Sequence, residues 1–553
     1  MVYIKSSSEQ TLLLPTNLRD IIPKDHICFL IEDVINELNF KDFDEKVEGP
    51  GNPSYHPRII LKIILNGICE RITSTRKLEK LTIENIVFRY LAENLNPDFH
   101  TIALFRKQNS ELIKQSFLQT VEIGKRLDMI NFNKLYLDGM KTKANASKSK
   151  TFSKQEIEFL SGFVDKYLSE MDKIDEEENV LYGNEDGQLK IPEHLTNKRK
   201  LKEKISQMMK DMKKSKWQLD KAKEKIQKEE MKRVNLTDMD SKMMKMKKGI
   251  HYEQAYNCQL LVEDKSEMIA SNYISDNAGD VGQTVPSMEK FKQEQKETLD
   301  GKEVFQDNAY SCSKTAEYYE KQNAIAYIPD NASTKELHGK DKKIGKFDYD
   351  NFKLDFKKNQ VKCPKRHKLK FVRRDEGKDN GNWTNVYRGE KCKNCKFREE
   401  CIGQKVKRPY KEVRINPLMR KIRLRFKTKK GLKKYNKRFH KGEVAQAHIE
   451  HNLGYREFKM RGIDPCENEL NLVSTAYNLI KIKKYLEKKG KLRLNNPAGR
   501  LFYQAVFIYL VNYKTACEAN DLGKMRAEQF SFYPLLCVPN GMKWSESAAW
   551  HGA

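Results

Sequence analysis

Two aspartates stand at the ends of short apolar segments that are predicted to be β-strands. Asp138 follows residues 135–137 and precedes Gly139, which is expected to end the strand, and Asp307 closes the segment 302–307. An aspartate on a core strand is costly to bury unless it is paired or holds a cation. Asp138 alone could instead cap the turn after its strand, but the recurrence of the pattern at Asp307 favours a pair of cation ligands.

The order of the elements around these aspartates is expected to bring them together. It is strand, insertion, strand, strand, helix, strand, helix, strand, with the later elements at 256–262, 268–274, 281–299, 302–307, 313–322 and 324–329. Three antiparallel strands followed by helix-connected strands is the order of an RNase H-like α/β fold. Because the first and fourth strands lie side by side in that fold, Asp138 and Asp307 are placed for two-metal chemistry.

A third acid is expected on a helix predicted over residues 441–455. Glu443, Ala447 and Glu450 share one face of this helix through their i+4 and i+7 spacing. Glu443 is the candidate metal ligand, although the helix dipole also favours a glutamate in a first turn.

The composition indicates a polyanionic partner. Among 553 residues, 105 Lys+Arg outnumber 77 Asp+Glu, which gives a formal net charge of +28 and a pI of about 9.4. The absence of an 18-residue apolar run and of a secretory signal argues against a membrane and favours nucleic acid and a cytoplasmic location. The densest positive charge, at residues 420–438, has Phe426 and Tyr435 interleaved and favours phosphate contacts, although a solvated face has a similar composition.

The eleven cysteines are expected to be free thiols or metal ligands rather than disulfides. Four of them, Cys363, Cys392, Cys395 and Cys401, cluster around one CxxC pair and could close a tetrahedral structural zinc site. His367 could replace one of these ligands. A metal-free subdomain that keeps its thiols is the alternative.

Two other regions are expected to be helical. Residues 1–130 contain short helices with basic residues near their starts, including Arg76 and Arg106, which suits a helix-turn-helix-like DNA-binding module. An all-α packing domain without DNA contacts remains the alternative. Residues 151–235 are charged and helix-favouring around a break at 182–187, which predicts a helical hairpin. The apolar positions of its second helix are Leu201, Ile205, Met208, Met209, Met212 and Leu219.

With these motifs in place, the chain resembles the DDE transposases of bacterial insertion sequences that have an InsH-type N-terminal helical domain. The resemblance covers most of residues 10–485. Its motifs lie at 74–76, 97–106, 137–141, 144–147, 256–259, 307–311, 443–458, 461–462 and 476–479.

The resemblance implies that Asp138, Asp307 and Glu443 are the catalytic residues and hold Mg²⁺ or Mn²⁺, with two ions expected. In that family the glutamate helix often carries Tyr, two residues, Arg, three residues, Glu, six residues, Lys. Tyr435 and Arg438 match, but Glu443 stands one position late and Glu450 replaces the Lys, which makes Glu450 a rival ligand. Contacts with DNA are expected from Arg76, Arg106, Lys141, Lys143, Tyr435 and Arg438.

The expected organisation has a helical DNA-binding domain, an interrupted catalytic core, two insertions and a tail of unknown role. These parts are residues 1–130, then 131–150 with 250–335 and 411–485, then the hairpin 151–249, the Cys-rich segment 336–410, and 486–553.

The expected function is metal-dependent cleavage and transfer of DNA strands at the ends of an insertion sequence. The partners would be double-stranded DNA, both terminal inverted repeats and target, and the family implies a homodimer at the bacterial nucleoid. A catalytically inactive or domesticated DNA-binding relative is the main alternative. A structure-specific nuclease on the same fold is a further one.

Overall fold

The structure is a computed structural model that describes most of the chain. The described residues are 17–41, 54–176, 204–205, 207–208, 211–246, 251–330, 333, 346–377, 382–403 and 408–489. The expected break at 182–187, the positions Leu201 and Met209, and the tail from residue 490 onward lie outside the described residues.

In the N-terminal part, the described residues form seven helices. They are α1 Leu18–Ile21, α2 Ile27–Asn36, α3 Pro57–Cys69, α4 Thr75–Glu84, α5 Ile86–Leu91, α6 Phe99–Gln108 and α7 Ser110–Arg126. Every residue of α3 from 59 to 68 is buried, because its sequence is apolar on nearly all sides. Pro57 begins this helix, and His56 Nδ1 accepts a hydrogen bond from the Arg58 N–H at 3.1 Å.

The elements described up to residue 327 then include eight strands and four helices. The strands are β1 Lys134–Lys143, β2 Thr151–Ser153, β3 Arg233–Asn235, β4 Lys242–Lys245, β5 Tyr252–Glu263, β6 Ile269–Ser275, β7 Glu303–Gln306 and β8 Ile325–Tyr327. The helices are α8 Lys154–Glu176, α9 Met212–Lys228, α10 Thr284–Gln295 and α11 Ser313–Lys321.

Six of these strands form the central sheet, in the order β6–β5–β1–β7–β8 with β4 also pairing with β5. The strands β1, β5 and β6 are antiparallel, whereas β1, β7 and β8 are parallel to one another. The expectation that Gly139 ends the first strand is wrong, because β1 continues to pair with β5 as far as Lys143.

The first insertion contains the expected helices. The helices α8 and α9 pack on each other, and β2 pairs with β3 in a separate two-stranded antiparallel sheet. Their shared core includes Ile205, Met208 and Leu219, three of the apolar positions expected to face it.

The second insertion forms a sheet of its own. Its strands, each antiparallel to the next, are β9 Lys353–Asp355, β10 Gln360–Lys362, β11 Lys368–Glu376, β12 Trp383–Gly389 and β13 Glu412–Ile415. A short helix, α12 Arg398–Ile402, lies between β12 and β13. Because β13 pairs with β12, this sheet extends beyond the expected boundary at residue 410.

Four helices complete the described chain: α13 Pro417–Phe426, α14 Lys429–Asn436, α15 Arg438–Ala447 and α16 Ile463–Lys488. The helix expected over 441–455 thus starts and ends earlier, and a π-helical turn, His448–Asn452, follows it. The long helix α16 packs on α3, α7 and β6, so it connects the helical bundle to the central sheet. No helix in the described ranges has the length and apolar character needed to cross a membrane.

Candidate active site

The parallel pair of β1 and β7 brings the two predicted aspartates to neighbouring positions. Leu137 pairs with Gln306, so Asp138 and Asp307 are the next residues along the two strands. The Asp138 Oδ1 accepts a hydrogen bond from the Gly139 N–H at 3.1 Å. The Asp307 carboxylate accepts one from the Asn308 N–H and thereby caps a short 3₁₀ turn, Asn308–Tyr310.

Arg438 supplies a buried positive charge at this place. Its Nη2 lies 2.9 Å from the Asp138 Oδ1, and only 4% of the Arg438 side chain is exposed. Burial opposes the guanidinium charge, but Asp138, Tyr435 and Asp307 outweigh it and hold the pKa of Arg438 above its ordinary value. The site therefore contains a cation that acts on both aspartates.

A polar network lies beside the aspartates and joins residues of the motifs 256–259 and 307–311 to Asp280, which was not predicted. The Tyr310 hydroxyl donates to the Gln259 Oε1, and the Gln259 Nε2 donates to the Asp280 Oδ1 at 2.9 Å. The Asn257 Nδ2 donates to the same Asp280 oxygen at 2.9 Å. Burial, together with the charge of Asp280, raises the pKa of Tyr310 well above its usual range, so its phenol stays protonated.

Asp280 also explains why a glycine follows Asp138. A Cβ built on Gly139 would collide with the Asp280 carboxylate, so a residue with a side chain would displace Asp280 from the network. Asp280 lies in the loop between β6 and α10, where no periodic pattern marks it as a site residue.

The third predicted acid lies close to the pair without joining it. The helix α15 packs against β1, and a Cβ on Gly442 would lie 3.8 Å from the Tyr136 Cβ and 3.9 Å from the Asp138 Cβ. Glu443 is the next residue and is exposed. Within the described ranges, no three His, Cys, Asp or Glu side chains converge closely enough to hold a metal ion.

The rival acid, Glu450, lies in the π-helical turn. Its backbone carbonyl accepts from the Arg456 Nε at 3.3 Å, and its carboxylate lies 3.9 Å from the His451 Nε2. In the same turn, burial and the charges of nearby lysines lower the pKa of His448 to about 4. His448 is therefore neutral at neutral pH.

The residues expected to bind DNA have different exposures. Arg76 is exposed and lies over the Phe99 ring, 4.7 Å from its centroid. Arg106 is only 5% exposed, its Nη1 donates to the Thr73 carbonyl oxygen at 3.1 Å, and burial lowers its pKa. A DNA contact by Arg106 therefore requires the local structure to open, and that contact stays a prediction.

The other expected DNA contacts lie near the aspartates. Tyr435 is 2% exposed and packs edge-on against Phe426, so it has no surface to offer DNA in this arrangement, and Arg438 is paired with Asp138. Lys141 and Lys143 are half-buried on β1, and the Lys141 Nζ donates to the Lys245 carbonyl oxygen at 3.2 Å. All four contacts stay predictions.

Acids pair with six of the eleven basic residues in the basic stretch, residues 420–438. Arg420 and Lys427 lie 3.0 and 2.9 Å from Asp350, and Lys421 lies 2.6 Å from Glu320. The further pairs are Arg423 with Asp330 and Asp350, Lys434 with Glu303, and Arg438 with Asp138. Lys429, Lys430, Lys433 and Lys437 are exposed.

The four cysteines of the second insertion lie near one another. Burial raises the pKa of the Cys401 thiol, Lys411 opposes this effect, and Cys392, Cys363 and Cys395 add to it. All four thiols are free of disulfides. The Cys363 N–H donates to the His367 carbonyl oxygen at 2.9 Å. The structural zinc stays a prediction.

Two segments match known families. Residues 362–483 match the family described as a transposase DDE domain, and residues 16–108 match the one described as a transposase domain (DUF772). The first segment includes the cysteine cluster, Arg438 and Glu443, and the second covers the helices α1 to α6. No curated protein and no solved structure gives a match. These two matches indicate a DDE-type transposase of an insertion sequence.

Proposed function

We propose that this transposase binds the ends of an insertion sequence and performs metal-dependent strand cleavage and strand transfer on an RNase H-like core. The family implies phosphoryl transfer on DNA. The observation that carries the finer proposal is the parallel β1–β7 pair, which places Asp138 beside Asp307 while α15 packs against β1. The sheet order, three antiparallel strands followed by two parallel ones, supports the RNase H-like core.

The donors of this site fit a hard divalent cation. Both aspartates offer carboxylate oxygens, which Mg²⁺ and Mn²⁺ prefer, and the buried Arg438 guanidinium already sets a positive charge against them. Asp138, Asp307 and Glu443 are the residues that would hold the metal. When bound, it would activate the attacking water or 3′-OH and stabilise the leaving oxygen.

The surrounding side chains prepare this place for a cation. Because Arg438 covers one Asp138 oxygen, a metal can reach that oxygen only if the guanidinium moves. The helix α15 passes close to Asp138 at Gly442, and the exposed Glu443 is the next residue of this helix. The Tyr310–Gln259–Asp280 network holds the other side of β1 in place.

The test is cleavage of a labelled duplex that carries the flanking ends of the encoding element, with Mg²⁺, Mn²⁺ or EDTA. We expect metal-dependent nicking at the element boundary. Asp138→Asn and Asp307→Asn should each lower the rate by about a hundredfold or more, because each removes a charged oxygen ligand. Glu450→Gln is the matched control and should cut at nearly the normal rate. Normal cutting by Asp307→Asn would refute the assignment.

An inactive DNA-binding derivative is the second candidate. One observation favours it: the exposed Glu443 does not converge with Asp138 and Asp307. Salt-sensitive binding of the element ends without nicking in any metal would establish this candidate. A strand-transfer assay with a pre-cut 3′ end separates a transposase from a nuclease that cuts but does not join.

A further inference from the structure

A groove of about 670 Å³ opens beside the CxxC turn of the second insertion. We propose that this knuckle groove, defined by Lys365, Lys391, Lys393, Lys396 and Phe397, is a binding surface for the phosphate backbone of duplex DNA. This inference rests on the proposed function in taking DNA as the partner. It adds a surface that lies outside the active site and outside the basic stretch.

Among the residues that the structure describes, no acid is paired with the groove lysines. Glu390 is the one acid among its lining residues, and the Glu390 Oε1 lies 3.0 Å from the Nζ of Lys370. Within the described part of the chain, none of the four groove lysines is paired with a carboxylate. Their charge is therefore available for a polyanion, whose condensed counterions they would release on binding.

The aromatic ring holds cations rather than a base. The Lys365 Nζ lies 3.9 Å and the Lys346 Nζ lies 4.4 Å from the centroid of the Phe397 ring. Both distances are within the range of cation–π attraction, which fixes these lysines at the groove wall. Because ammonium groups already occupy the ring, the groove fits the backbone of a duplex better than the unstacked bases of a single strand.

The cysteines orient the lysines. Lys391, Lys393 and Lys396 are exposed, while Cys392 and Cys395, which alternate with them, are half-buried. Cys363 and Cys401 pack against the core of the second sheet. The three lysines are thus displayed from a turn that is anchored on a folded sheet, which lowers the ordering entropy that DNA binding would cost.

The groove also differs from the basic stretch in how many of its basic side chains have carboxylate partners. In the basic stretch, the side chains of Arg420, Lys421, Arg423, Lys427, Lys434 and Arg438 have carboxylate partners. In the groove the lysines lack such partners within the described residues. The groove is therefore a cluster of lysines without acid partners in the described residues, whereas the basic stretch combines six paired side chains with four exposed lysines, Lys429, Lys430, Lys433 and Lys437.

The experiment measures binding of the full chain to a short labelled duplex that lacks the element ends, over a series of KCl concentrations. The groove variant is Lys391→Gln/Lys393→Gln/Lys396→Gln. The matched control, Lys353→Gln/Lys357→Gln/Lys358→Gln, removes the same charge from exposed lysines of the same insertion outside the groove. We expect the groove variant to bind about 10- to 100-fold more weakly near 100 mM salt. Its slope of log affinity against log salt should fall by about two to three units, about 0.9 for each lost phosphate contact.

The control variant should change the slope by less than about one unit. Equal slopes for the two variants, or a groove variant that binds like the unmodified chain, would overturn the inference. If the triple variant does not fold by circular dichroism, Lys393→Glu alone is compared with Lys357→Glu, and the same ordering of the two slopes is required.

Failure of this inference differs from failure of the proposed function. Normal nicking of element ends by the groove variant with an unchanged salt slope refutes the groove alone. Groove-dependent binding by a chain that never nicks DNA supports the groove and refutes the catalytic proposal. An unmodified chain that binds no duplex refutes both.

Discussion

The basic stretch and the knuckle groove are both rich in basic residues, but they differ in how much of that charge is paired with acids. In the basic stretch, acids that are remote in sequence, such as Glu320 and Asp350, neutralise six basic side chains. In the groove, the one lining acid is bound to a lysine outside it. The density of lysine and arginine in a sequence therefore reports total charge, and only the fold shows how much of it is free for a ligand.

Asp350 explains why the basic stretch is structural. Its carboxylate forms ion pairs with Arg420, Arg423 and Lys427. The Arg420 Nη2 also donates to the carbonyl oxygens of Asp350 and Phe352. Burial alone would raise the pKa of Asp350, but Lys427 and Arg423 outweigh it and hold the pKa below its ordinary value. The network therefore fastens α13 to the segment that leads into the second sheet.

Removing this acid is the strongest way to test the comparison. Asp350→Asn leaves Arg420, whose side chain is 4% exposed, without a charged partner, whereas Arg423 keeps its pair with Asp330. We expect a loss of about 3 kcal/mol in the free energy of unfolding, at the lower end for a buried pair because Arg420 keeps two carbonyl acceptors. Urea denaturation measures this loss. The DNA salt slope of the folded variant should stay normal, and a large drop in slope with normal stability would reverse the roles of the two regions.

The stability contributed by Asp350 should also depend on pH, and the direction of that dependence follows from its lowered pKa. Because the folded-state pKa of Asp350 is depressed, its contribution to stability is full above the unfolded-state pKa of about 3.9 and is lost as the pH falls through the folded-state pKa. The stability difference between the unmodified chain and Asp350→Asn should thus be constant from pH 5 to 7 and shrink below pH 4. A difference that persists undiminished at pH 2 would contradict the ionic origin of the effect.

Elements with a clear period were predictable from the sequence. The apolar run of α3 and the alternating segments around Asp138 and Asp307 specify their elements locally, so their prediction needed no tertiary information. The extension of β1 to Lys143 was not predictable, because β5 provides its pairing from more than a hundred residues away. The end of α15 at Ala447 was missed because the backbone stays helical through the π-helical turn that follows it.

Of the site residues, the two aspartates at the strand ends were predictable from the sequence. Asp138 and Asp307 end apolar strands, whereas Asp280 lies in a loop and is recognised only through its hydrogen bonds to Asn257 and Gln259. The burial of Arg438 could not be foreseen either, because a basic residue within a basic run has no local signature of an ion pair. The roles of Asp280 and Arg438 depend on interactions with residues that are remote in the sequence, which hydrophobic periodicity does not report.

Removing zinc should affect the knuckle groove and leave the basic stretch unchanged, so it tests the difference between the two regions. If the four thiols hold Zn²⁺, the full chain should contain about one zinc per molecule by elemental analysis, and Cys395→Ser should lose it. We expect this variant to bind duplex DNA about tenfold more weakly, because the turn that displays the groove lysines loosens. Cys69→Ser is the control and should keep both zinc and affinity. A zinc-free chain with full groove-dependent binding would show that the thiols serve packing only.

The smallest expected effect comes from the groove's own acid. Glu390→Gln removes a charge whose ion pair with Lys370 is more than 60% exposed on both sides, so the stability should change by less than about 0.5 kcal/mol. The same change removes the negative charge that faces the groove lysines, and duplex affinity should rise up to about twofold at low salt. Glu320→Gln, which frees Lys421 in the basic stretch, is the matched substitution and should leave affinity unchanged. If Glu320→Gln raised affinity more than Glu390→Gln did, the basic stretch would be the DNA surface and its acids would act as competitors for the phosphates.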